Sequence, residues 1–388
     1  METTEAFAGL TCAACGESFD ASEHGRCPDC GGPLDPTYDL DALDGPALDG
    51  DGPGHWRFDA LLPFPAEAGL TADEGDTPLV RADALAEEAG VDALWVKDEG
   101  RNPTGTFLDR GMSLAVTAAS ERDLEPLALA AAGNAGQSAA AYAGTADLRS
   151  YAFVPSRTAF SNKAMVNVHG GEMRVVGGRY GDAAAAVDEQ LETGYHSLQE
   201  FTTPYRHDGA RTLAFEIHEA VETPDAVVLP VGTGELLVGV VKGFRQLRDA
   251  GLAEAVPTVY AVQPEGCAPV VAAWTDGADA VEAWETPDTI VGELEIAAPA
   301  GGGLALDALS TADGGALTVS DDDALESAVT AAQSAALEVG GAGGVALAGA
   351  WQLAEEGRLA GDRVVVVNPD AGAKTPDVLR SHLMGKGI

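Results

Sequence analysis

Basic residues are scarce in this 388-residue sequence: 22 of them, only five of which are lysine (Lys97, Lys163, Lys242, Lys374 and Lys386), face 62 acidic residues and leave a net charge of −40. A surface of that sign repels a nucleic-acid backbone and an anionic bilayer alike, so neither is expected as a partner. Long apolar runs are absent too. The longest late uncharged stretch, Val339 to Ala354, has 16 residues broken by glycines, short of the roughly 20 apolar residues of a spanning helix. Residues Met1 to Glu5 carry neither a positive region nor an apolar core and do not read as a secretory signal. No repeat of roughly 20 to 50 residues recurs.

The acidic residues are spread through periodic segments rather than gathered in one tail, which reads as adaptation of the whole surface. In the cytoplasm of a salt-accumulating cell, screening removes most of the self-repulsion, and hydrated carboxylates keep such a surface in solution. A cytoplasmic, halophilic protein is therefore expected. With 46% hydrophobic and 22% charged residues the balance is globular. At about 150 residues per domain, the length suggests two or three domains.

Cysteine is rare as well, yet four of the five form Cys12-x2-Cys15-x11-Cys27-x2-Cys30, with Gly31 and Gly32 after the second pair. Two close pairs separated by a loop can set four thiolates around Zn²⁺, as in a zinc ribbon. Two disulfides are the alternative, disfavoured without an export signal. Four thiolate ligands leave no open position, so the site reads as structural, and an apparent metal-binding free energy of about 10 to 16 kcal/mol would let the segment fold alone. His24 lies inside the loop as a spare ligand, and Cys267, at the start of a predicted helix, reads as a packing residue.

Residues Asp35 to Asp76 read as a linker docked through Trp56 and Phe58. Beyond Leu79, apolar or β-branched runs alternate with alanine-rich helical stretches, the rhythm of an α/β fold with parallel sheets. Strands are predicted at Ala93 to Lys97, Leu127 to Ala131, Ser150 to Val154, Met173 to Val176, Ala226 to Val231, Thr258 to Val262 and Arg363 to Asn368. Ligands of such sheets sit beyond the carboxyl ends of the strands. Three glycine-rich turns lie there: Lys97 to Met112, with Thr106 and Asp109 spaced as a capping pair; Ala131 to Gly136; and Pro230 to Glu235, whose backbone N–H groups could receive an anion.

In this order the turns and the N-terminal cysteines resemble threonine synthase and its relatives among the fold type II pyridoxal phosphate (PLP) enzymes, over nearly the whole chain. Lys97 to Met112 is similar to that family's lysine segment, Gly133-Asn134-Ala135 to its asparagine loop and Pro230 to Gly234 to its phosphate loop. Thr289-Ile290-Val291 with Ala298-Pro299, and Val364 to Pro376 with Gly372 and Lys374, are similar to further family segments. The resemblance implies two open parallel-sheet α/β domains beside the ribbon: residues 1–35 the ribbon, 36–114 and 201–388 the large domain, and 115–200 the small one. It also implies PLP held by Asn134, Gly232, Thr233 and Gly234, conversion of O-phosphohomoserine to threonine and phosphate, and a homodimer or a related subunit as partner.

Against that pattern, Leu108 stands where the family carries its Schiff-base lysine, and leucine can neither form the imine nor move protons. Glu235 follows Gly234 where glycine is common, Ala131 and Ala132 replace hydroxyl residues, and Pro369 takes a hydroxyl donor's place. Arg110 is expected to pair with Asp109 rather than with a substrate anion. His169, His196, His207 and His218 form no ligand spacing. The first reading is a threonine synthase-like protein with a degraded cofactor site, binding a small anionic metabolite or an amino-acid-like ligand. The second is a working PLP-dependent lyase in which the leucine reflects an altered sequence or another lysine has taken over. A third makes the ribbon an adaptor for another protein.

Overall fold

Parallel strands covered on both faces need continuous apolar runs. Ala226–Pro230 is buried at every residue, and Arg363–Asn368 at every residue except Arg363. The computed structural model describes residues 2–43 and 48–386, so residues 44–47 of the predicted linker lie outside the described residues. In chain order the strands are β1 (Phe7–Cys12), β2 (Ser18–Phe19), β3 (Leu34–Tyr38), β4 (Leu79–Arg81) and β5 (Ala93–Asp98). There follow β6 (Leu127–Ala130), β7 (Ser150–Pro155), β8 (Glu172–Val176) and β9 (His196–Ser197). The last are β10 (Ala226–Pro230), β11 (Thr258–Pro264), β12 (Gly315–Val319) and β13 (Arg363–Asn368). All seven predicted strands form, with ends within two residues of expectation.

The chain divides into two compact units: residues 1–76, 108–215 and 249–252 form the first, and residues 77–107, 216–248 and 253–388 the second. The first holds a three-stranded antiparallel sheet, β2-β1-β3, and a four-stranded parallel sheet, β8-β7-β6-β9. Its main core joins Leu10, Cys12, Cys27 and Leu34 of the cysteine segment to Trp56, Phe64, Leu114, Leu129 and Tyr205. The N-terminal segment thus shares its core with the body instead of folding as a separate ribbon. The same cluster places residues 48–76, read from the sequence as the start of the large domain, in the first unit. The break at 107/108 rather than 114/115 has the same origin, because the helix Leu108–Ser120 is buried at nearly every residue and contributes Met112, Leu114, Ala115 and Val116 to that core.

The second unit is built on a six-stranded sheet, β12-β11-β10-β13-β5-β4, parallel except for β4 against β5. Helix Gly341–Glu355, the uncharged run of the sequence, packs on this sheet so closely that a Cβ on Gly349 would lie 2.5 Å from Val262 Cγ2. Ser320 caps helix Asp321–Ala335 by accepting from the Asp323 N–H at 3.1 Å, and Asp321, Asp322 and Asp323 complement its dipole. Among the described residues no helix is long and apolar enough to cross a membrane.

Candidate functional site

The cysteine pairs sit on two turns of the same construction. Cys12 N–H donates to Glu17 O and Gly16 N–H to Cys12 O, at 2.8 and 2.9 Å; Cys27 N–H donates to Gly32 O and Gly31 N–H to Cys27 O, both at 2.8 Å. Gly16 and Gly31 take φ of +78° and +75°, where a side chain would strain the turn. The two turns bring the four Sγ atoms within 4.8 Å of one another. Cys12 and Cys30 are 3.5 Å apart and Cys15 and Cys27 3.8 Å, too long for a disulfide of about 2.05 Å. Burial raises the Cys12 thiol's pKa, but backbone N–H groups and the neighbouring thiols outweigh it and hold the group at about 6. Four convergent sulfurs, one already disposed to ionise, fit a metal ion that would clamp both turns. His24 is not in this set; its ring lies 5.7 Å from that of His196.

Still in the first unit, Leu108 and Asn134 are the first residues of helices Leu108–Ser120 and Asn134–Thr145. Leu108 is half-buried and Asn134 buried. Next to Leu108, the Asp109 carboxylate accepts from the Ser138 hydroxyl at 2.5 Å, which ties the two helices together. Arg110 Nη1 donates to Thr212 Oγ1 at 3.0 Å. Behind these helices lies a network that the sequence reading missed. The Glu74 carboxylate accepts from Trp56 Nε1 at 2.9 Å, Tyr142 OH at 2.8 Å and Ala72 N–H at 2.9 Å, with His55 Nε2 at 3.2 Å. Burial pushes its pKa up, but His55 and the donors outweigh this and hold it at about 2. Its partners come from positions 2 to 68 residues away, so no local spacing announces it.

In the second unit, β10 runs into the turn Gly232-Thr233-Gly234 and then into helix Glu235–Asp249. Gly234 has φ +95°, and a Cβ there would meet Gly301 O at 3.1 Å. Gly301 N–H donates to Thr233 O at 3.1 Å. Gly232 faces the backbone carbonyl of Glu293. Glu235 is buried in the first helical turn. Beyond β13, Asn368 Nδ2 donates to Asp98 Oδ1 at 2.9 Å, and Pro369, which has no N–H, accepts from Phe107 N–H at 2.9 Å. The following carboxylate, Asp370, lies against Gly340 so tightly that a Cβ there would be 2.2 Å from Oδ1. Burial, and then the charge of Asp370, push the Glu293 carboxyl up to about 7. Lys97, the basic residue of β5, is buried and donates to Thr77 O at 2.6 Å and Glu216 Oε2 at 2.5 Å.

These elements agree with what comparison with known proteins shows. Residues 70–370 match the family model described as "Pyridoxal-phosphate dependent enzyme", and the chain belongs to that family. It is 33% identical to the threonine synthase of Methanosarcina acetivorans over 92% of this chain and 89% of that protein. It is 32% identical to that of Methanocaldococcus jannaschii over 94% and 93%. Among solved structures, the processed threonine deaminase isoform 2 of Solanum lycopersicum superposes with a TM-score of 0.68 at 22% identity, covering 78% of this chain and 86% of that one, a likeness of fold. The fold is thus that of the fold type II PLP enzymes. In the first unit, Leu108 begins its helix without an amine in the position that resembles the family's lysine. In the second unit, Lys97 is committed to Glu216, Pro369 offers no N–H, and Glu235 is buried in the helical turn that follows Gly234.

Proposed function

We propose that this chain is a noncatalytic member of the threonine synthase-like PLP family, a binding or regulatory protein whose cysteine turns hold a structural Zn²⁺. The observation that carries the reading is Leu108 at the head of its helix, in the position that resembles the family's Schiff-base lysine. Without a primary amine there, covalent attachment of the cofactor and the proton transfers that depend on it are lost together. Of the two ligand classes considered, the amino-acid-like one suits the site better than an anionic metabolite, because the buried Glu235 directly after Gly234 repels phosphate and attracts an ammonium group. The cytoplasm of a salt-accumulating cell is the compartment that the acidic surface suits.

The test is the visible spectrum of the full chain in concentrated potassium chloride with added PLP, beside Leu108→Lys. The parent is expected to show no band of a lysine-bound cofactor. A band that borohydride fixes onto a lysine of the parent overturns the proposal. The competing reading is an active threonine synthase, favoured by relatives of that name matched over more than nine-tenths of this chain. Release of phosphate from O-phosphohomoserine by the parent would establish it.

A further inference from the structure

The second unit holds an acid whose partners do not balance it. Glu293 lies in the short turn Gly292–Leu294, with its side chain at the N-terminus of helix Gly341–Glu355, where the Ala342 N–H donates to it. Its Oε1 is buried and makes no hydrogen bond among the described residues. From the segment after β13 come Asp370, held against Gly340, and the buried Lys374, which favours ionised Glu293. On the same side, Glu338 accepts from the Ala373 N–H at 2.7 Å, and a Cβ on Gly372 would lie 3.1 Å from its Cγ. The phosphate-loop turn brings Gly232 against the Glu293 carbonyl with Glu235 three residues on, and Glu295 lies buried on Glu293's own segment. Carboxylates therefore outnumber the one lysine facing Glu293. A Cβ on Gly341 would lie 3.5 Å from Glu293 Oε1 and one on Gly340 2.2 Å from Asp370 Oδ1, so both carboxylates stand at one helix start and ionising Glu293 adds a second negative charge there.

We propose that Glu293 and Asp370, the two carboxylates at the start of helix Gly341–Glu355, form a proton-coupled pair in which loss of the Glu293 proton adds a second negative charge beside Asp370. The sign follows from linkage. A carboxyl held near pH 7 in the folded chain and at its ordinary value when unfolded keeps its proton longer when folded. The stabilisation from a protonated Glu293 is therefore full at acid pH and fades as pH rises through the interval between those values.

The experiment measures thermal midpoints of the full chain and of Glu293→Gln from about pH 5 to about pH 8 in concentrated potassium chloride. Glutamine keeps the shape without the titration. Relative to this variant, the parent is expected to lose several degrees as pH rises to about 7 and then to hold a constant gap. Asp370→Asn provides the second reading, because removing its charge moves the falling limb of the parent to lower pH. A difference between parent and Glu293→Gln that is flat with pH overturns the proposal. So does a limb that Asp370→Asn leaves in place. If Glu293→Gln does not fold, the limb's position in Asp370→Asn decides alone.

Discussion

The cysteine turns and the Gly232–Gly234 turn are both backbone turns built around glycines at positive φ, and they differ in the side chains that accompany them. At Cys12, Cys15, Cys27 and Cys30 both the frame and the chemistry are present: paired N–H···O turns, glycines at positive φ and four convergent sulfurs. At the Gly232–Gly234 turn the frame is present, and an acid, Glu235, is buried in the helical turn that follows it. The helix start at Leu108 is likewise well formed, with Asp109 bound to Ser138 and no amine at its head. Folding needs the turns and the core, which tolerate many side chains; a reacting group tolerates no substitute.

That contrast can be broken most forcefully at the metal. Chelation, or Cys27→Ser, is expected to release about one equivalent of metal and to unfold the N-terminal segment, since structural zinc contributes an apparent 10 to 16 kcal/mol, roughly, in small zinc modules. Because Cys12 and Cys27 lie in the core they share with Leu114 and Leu129, the thermal midpoint of the whole first unit should fall too. Metal analysis paired with calorimetry checks this, and an unchanged midpoint after complete metal loss would separate the segment from the body.

Next in size is Glu74, which supports the Leu108 and Asn134 helices without belonging to either. Glu74→Ala should cost about 3 to 5 kcal/mol, because it strands the Tyr142 donor and His55 in the interior and leaves Trp56 Nε1 with Ser113 Oγ alone. With its folded pKa near 2, below its unfolded value, Glu74 contributes stability that is full above the unfolded value and fades as pH falls toward 2. Glu74→Gln should flatten that acid limb in a denaturant series read by Trp fluorescence. Loss of the limb without loss of folding near neutrality would confine the role of Glu74 to acid resistance.

The smallest effects sharpen the distinction between frame and chemistry within one turn. Gly234→Ala forces a side chain to φ +95° against Gly301 and should cost about 1 to 2 kcal/mol. Gly232→Ala finds ordinary contacts, 3.4 to 3.6 Å from Glu293 O, Ile296 and Leu294, and should lie within about 0.5 kcal/mol of the parent. Equal costs in urea unfolding would mean that both glycines serve only the backbone.

Much of this architecture is legible in the sequence because it is local. Seven strands announce themselves as apolar runs of several residues, and the cysteine set is a spacing within 19 residues. Six strands escaped: β1 and β3 are interrupted by partly buried residues, β2, β4 and β9 have two or three residues, and β12 is an edge strand whose burial alternates, so none has a continuous apolar run to show. The domain boundaries were harder, since which core a helix joins depends on segments far along the chain.

What the sequence determined by itself is which residues stand at the ends of the strands: four thiols that can meet a metal, glycines where turns need them, and Leu108 where its resemblance to a known family implies a lysine. What the tertiary structure decided is the state of the side chains there. Lys97 is engaged by Glu216, 119 positions away; Glu74 is held as a carboxylate by His55 and the donors around it; Glu293 is pressed toward its neutral form by burial beside Asp370. Charge and reactivity follow from desolvation and from neighbours within a few ångströms, and those neighbours are chosen by packing rather than by position along the chain.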